Sequence, residues 1–142
     1  MRVRDVMTRS PVAVETAEPV AAAARLMRER NIGVIPVLDA RGALAGMLTD
    51  RDIVIRCTAD GRDPEKTRVS KIMSTGAVTC SPGEDLTAAL SRMKAEQVRR
   101  LPVVEGGKLV GMLSIADAAR TQRVDMEAAE ALSGITANVC RK

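Results

Sequence analysis

Two short spacings in this 142-residue chain set a hydroxyl three residues ahead of a carboxylate, Thr49-x-x-Asp52 and Ser114-x-x-Asp117. Before an apolar run, that spacing predicts a helix cap. The hydroxyl accepts a backbone N–H, and the acid reaches back to the first one. The same carboxylates are acceptors for charge-assisted hydrogen bonds, worth about 1.5–3 kcal/mol. Arg99 and Arg100 stand side by side farther along. Arginine stays charged and grips oxyanions bidentately, although two exposed arginines at a turn are also ordinary surface. The chemistry open to these residues is the binding of hydroxyls and anions.

Composition narrows the classes. There is no His, so no imidazole base, proton shuttle or metal ligand exists in the chain. Ser-His-Asp and Cys-His nucleophile systems are therefore excluded, and no enzyme is expected. Phe, Tyr and Trp are also missing. Nucleic acid is not expected as the main partner, because no aromatic platform or zinc-finger pattern is present. The net charge of +4 is spread along the chain and gives a modest bias toward anions. Cys57, Cys80 and Cys140 form no CxxC pair and read as reduced thiols used as small apolar residues. Cys140 is the best candidate for a redox-sensing thiol, since exposure favours reactivity. No stretch has the length of a membrane span and the N-terminus has no signal-peptide core, so a cytoplasmic protein is expected.

The elements that must position these residues occur twice. Val3, Met7, Val12, Ala23, Met27 and Pro36 return at one constant spacing as Val69, Met73, Val78, Ala89, Met93 and Pro102. After one deleted turn residue, Leu44, Gly46, Met47, Leu48 and Asp52 return as Leu109, Gly111, Met112, Leu113 and Asp117. Such a repeat cannot bury its apolar face alone, so the two units are expected to pack about a pseudo-twofold axis with clefts between them.

Within each unit the pattern reads β-α-β-β-α. An extended piece, Pro11 to Val14 or Ala77 to Cys80, precedes a helix whose apolar stripe is Val20, Ala23, Ala24 and Met27, or Leu86, Ala89, Leu90 and Met93. The helices end near Asn31 and Gln97. Strands Val34 to Leu38 and Leu44 to Leu48 flank an Asp39-to-Gly42 turn, and Leu101 to Val104 and Leu109 to Leu113 repeat the hairpin. Closing helices begin near Asp50 and Ile115. The expected organisation is α+β: repeat 1 at 1–60, a polar linker at 61–68, repeat 2 at 69–120, and a helix and tail at 121–142. The tail helix is expected to run over about Asp125 to Leu132.

Three segments carry a family resemblance. "VMTRSPVAV", "NIGVIPVLD" and "GMLTDRD", with their partners "IMSTGAVTC", "QVRRLPVVE" and "GMLSIAD", resemble two CBS domains in tandem, a Bateman module. "GMLTDRDIVI" also resembles small stand-alone bacterial CBS proteins of the hypoxic-response type. The resemblance implies a regulatory, stress-response module. Its ligands would be adenosine compounds (AMP, ADP, ATP, S-adenosylmethionine or NAD) held in two clefts between the units. It also implies a homodimer that signals to an effector protein.

Carried over residue by residue, the resemblance gives Asp52 and Asp117 the ribose hydroxyls, and sets Thr49 and Ser114 near ribose or phosphate. Arg99 and Arg100 take the phosphate-contact position, where the first unit has Gly33-Val34, so unequal sites are expected. Val12 and Ile32 would line a cleft with Met112, Ser114 and Asp117, and Val78 and Val98 one with Met47, Thr49 and Asp52. Two readings stay open here: an adenine-nucleotide sensor, and an interaction module whose clefts are vestigial and whose acidic residues only cap helices.

Overall fold

Each half of the molecule takes its leading segment from the other half. In the computed structural model, which describes residues 1–121, a single 3-10 turn at Val3–Asp5 leads into strand β1 (Thr8–Arg9), and then β2 (Val14–Glu15), helix α1 (Val20–Arg30), β3 (Val34–Leu38) and β4 (Leu44–Thr49). A short helix α2 (Asp50–Asp52) continues as a π-helical turn, Ile53–Thr58. The second half has a matching 3-10 turn at Val69–Lys71, then α3 (Leu86–Glu96), β5 (Arg100–Glu105), β6 (Lys108–Ser114) and a last helix α4 over residues 115–121.

One sheet has the order β2-β3-β4, the other β1-β6-β5. β1 therefore pairs with β6, Thr8 facing Met112, across the repeat boundary. The reverse exchange sets Ser74 against Met47 of β4, with both backbone bonds made at 2.8 and 2.9 Å. The backbone seals the swap at the helices too. Val20 N–H donates to the Thr67 carbonyl, and Leu86 N–H to that of Met1. These bonds satisfy N–H groups that an uncapped helix end leaves unpaired. The linker carbonyl of Pro64 accepts from Ala21 in the same way, so the polar segment before Val69 closes a helix as well as joining two units.

The cores follow the exchange. Val69 and Ile72 are buried among Val20, Met27, Ile35 and Leu48 of the first half. Val3 is fully buried among Leu86, Met93, Leu101 and Leu113 of the second. Each such valine stabilises by about 1.5–3 kcal/mol. The sequence pattern had assigned each leading segment to its own repeat. Homologous segments fit either core, so spacing alone could not assign the partner.

Both long helices end where expected, on Asn31 (φ 53°) and Gln97 (φ 55°) in the left-handed conformation. Asp39 holds the first hairpin turn through its Oδ1, which accepts from the N–H groups of Arg41 and Ala43 at 2.8 and 3.0 Å. Cys57 and Cys80 are buried and unpaired as disulfides, and burial pushes the Cys80 thiol up to about 11. Cys140 and the tail helix lie outside the described residues.

Candidate functional site

Two clefts are lined by residues of both halves. Cleft A, about 440 Å³, lies between the end of α1, β1, β3 and the β6–α4 junction. Val12, Ile32, Met112, Ser114 and Asp117 all line it. Cleft B, about 290 Å³, lies between β4 and the strand-and-helix end of the second half. Met47, Thr49, Val78, Val98, Arg99 and Arg100 line that one, and Asp52 does not.

The difference at Asp52 has a local cause. Thr49 Oγ1 accepts from the Asp52 N–H at 3.0 Å, and Asp52 Oδ2 accepts from the Thr49 N–H at 3.0 Å, a reciprocal capping box. Ser74 of the exchanged segment donates its hydroxyl to the same carboxylate at 3.4 Å. Arg56 Nε lies 3.8 Å from Asp52 Oδ1. Arg56 also donates to the carbonyls of Ile72 and Met73 at 3.3 and 3.4 Å. Asp52 is 8% exposed. Its carboxylate is engaged from three sides, as the capping reading of the spacing expects, and it stands outside the lining of cleft B.

At Asp117 only half of that arrangement forms. Ser114 Oγ accepts from the Asp117 N–H at 3.1 Å, but Asp117 lines cleft A and its carboxylate is met by Arg120 from the next turn. That ion pair is open to solvent, with the arginine side chain 69% exposed, so it is weak and exchangeable. Thr8, the counterpart of Ser74, lines cleft A.

The cations are also distributed otherwise than the sequence suggested. Arg99 and Arg100 line cleft B, and Arg100 lines cleft A as well. Cleft A adds Arg30 and Arg120, which sequence reasoning missed. Arg30 ends α1, one turn before β3, and Arg120 follows Asp117 at helical spacing. Those positions are the signals that would have found them. Cleft A therefore has a basic wall although the first repeat has Gly33-Val34 where the second has its arginine pair.

The duplicated hairpins, exchanged leading segments and paired clefts define a tandem CBS-domain protein, and the chain belongs to the CBS domain family, whose profile matches residues 3–57 and again 69–123. CBS-domain proteins are generally regulatory modules. Among its relatives, the CBS domain-containing protein YhcV of Bacillus subtilis is 42% identical over 134 residues, covering 94% of each chain. Hypoxic response protein 1 of Mycobacterium tuberculosis is 38% identical, covering 82% of each. A crystal structure of Hypoxic Response Protein I with two coordinated zinc ions superposes with a TM-score of 0.78 at 37% identity, over 84% of this chain and 98% of that one. The CBS pair of protein MJ0100, in complex with 5′-methylthioadenosine and S-adenosyl-L-methionine, shares the fold at a TM-score of 0.74 and 24% identity, over 85% and 94%.

The chain has no His, and among the described residues no group of three or more Cys, Asp or Glu side chains could hold a metal ion. Among the described residues, no helix is long and apolar enough to cross a membrane.

Proposed function

We propose that this CBS pair senses an adenosine-containing ligand, taken up first in cleft A, and passes the signal to a partner protein. One observation carries the reading. Cleft A gathers an openable carboxylate, a hydroxyl, three guanidinium groups and aliphatic walls around one hollow of nucleotide size. Asp117 and Ser114 offer acceptors for the ribose diol. Arg30, Arg100 and Arg120 offer charge for phosphate. Val12, Ile32 and Met112 offer a polarizable apolar wall for the base, since no ring is available to stack on. AMP, ADP and ATP fit that set. S-adenosyl-L-methionine and NAD are further candidates, the first because the MJ0100 pair holds it.

The same proposal includes a homodimer. Val54, Ile55 and Ile115 lie 59%, 45% and 46% exposed on the helical segments that follow β4 and β6, and a second copy would cover them. The effector is a separate protein, and no catalytic role is proposed.

Isothermal titration with AMP, ATP and S-adenosylmethionine tests the sensor. Heat of binding with at least one of them, with the affinity at cleft A weakened at least tenfold in Asp117→Ala, is the expected result. Silence from all three at millimolar concentration overturns it. The locked state of Asp52 favours a second reading for cleft B alone, as a vestigial cleft in a structural module. Under that reading Asp52→Ala leaves the stoichiometry of binding unchanged.

A further inference from the structure

Val34 opens β3 and Arg100 opens β5, and the two are counterparts in the repeat. In register, Val34 faces Thr49 and Arg100 faces Ser114. Both residues line both clefts. The clefts thus meet at this pair, where the molecule has one isopropyl group and one guanidinium. Cleft A keeps Arg30 and Arg120 for itself and cleft B keeps Arg99. Among the described residues no ion pair engages Arg100. A guanidinium is a planar fork and grips one oxyanion bidentately. It carries one positive charge, so two anions that both draw on it must share that charge.

We propose that Arg100 is a phosphate ligand shared by the two clefts. An anionic ligand in one cleft then weakens the binding of a second anion in the other and leaves a neutral nucleoside unaffected there. This inference rests on the nucleotide reading above. Linkage makes the penalty mutual, whichever cleft fills first. The preferred doubly liganded state pairs one charged adenosyl compound with one uncharged one. The chain would then report the ratio of two metabolite classes rather than the level of either.

Titrations of the full chain with AMP and with adenosine, which differ only in the phosphate, test it. The two stepwise dissociation constants should lie about tenfold farther apart for AMP than for adenosine, within the usual range of coupling between sites. A single AMP step beside two adenosine steps is the limiting form of the same result. Arg100→Gln should shrink the AMP separation to that of adenosine. Val34→Arg should shrink it too, by tightening the second step, because each cleft then has its own guanidinium. Circular dichroism melts check that both variants fold, and Arg100→Gln decides the matter alone if Val34→Arg does not. Equal separations for the two ligands, or a single step for both, overturn the sharing and leave the sensor intact. A separation that widens in Arg100→Gln also overturns it, since direct phosphate repulsion would then be the cause. No heat from either ligand sinks the nucleotide reading and the sharing together.

Discussion

Asp52 and Asp117 occupy matching places in the two halves and have opposite fates. Each follows a hydroxyl residue whose oxygen accepts the acid's own N–H, at 3.0 and 3.1 Å. Only Asp52 returns the bond and gathers Ser74 and Arg56 around it. Asp117 is left with an exposed arginine and an open cleft. Identical spacing in sequence thus yields a fastening in one half and an acceptor in the other. The deciding residues are third parties. Ser74 corresponds to Thr8, which bonds neither acid, and Arg56 to Thr121, which cannot form the ion pair.

The largest expected effect breaks the fastening through the backbone. A methyl group on Gly46 would stand 2.5 Å from the Ser74 carbonyl oxygen, whereas on Gly111 the nearest atom is the flexible Met7 sulfur at 2.6 Å, with the Thr8 carbonyl at 2.9 Å. Gly46→Ala should cost about 3 kcal/mol and Gly111→Ala about 1.5 kcal/mol in urea unfolding. The reverse order would show that the two exchanged segments are not held as described.

Next, Asp52→Ala should destabilise by about 2 kcal/mol, because it removes a cap and leaves the Ser74 hydroxyl short of a partner. Asp117→Ala should stay within about 0.5 kcal/mol in the same melts. Equal losses would erase the distinction between the two acids. The binding counterpart is somewhat smaller in free energy. Asp117→Ala should weaken nucleotide affinity at cleft A at least tenfold, about 1.4 kcal/mol, and Asp52→Ala should not.

The smallest effect compares Cys80 with its counterpart Val14. Burial raises the Cys80 thiol to about 11 from 9.0, with the Glu84 charge adding to it. The unfolded thiol ionises first, so its contribution is whole below about pH 9 and lost as pH rises toward about 11. At pH 9.5 the loss should be below about 1 kcal/mol. Cys80→Val, which copies the other half, should remove that part of the alkaline slope in thermal melts. An unchanged slope would place the thiol nearer water than described.

Much of this architecture was legible. Val20, Ala23 and Met27, with Leu86, Ala89 and Met93, all turn inward as the stripe predicts, because helical periodicity is a local property. Val12, Ile32, Met112 and Ser114 line one hollow, a grouping implied by the resemblance to CBS pairs and not by the repeat alone. The cap at Asp52 was legible in its spacing from Thr49, but the contact from Ser74 was not, since Ser74 lies beyond the linker and reaches Asp52 only through the exchange. Arg30 escaped notice because its role follows from where α1 ends in space. The π-helical turn after Asp52 has no mark in the apolar spacing.

The reciprocal exchange has a consequence for how the molecule comes apart. Each half carries a plug shaped for its sister's socket, Val3 for one and Val69 with Ile72 for the other. A protease cut between residues 59 and 67 would therefore leave two pieces clasped together, melting as one. Either piece made alone would have an empty socket and a spare plug, and since the plugs are alike, two copies of the same piece could complete each other.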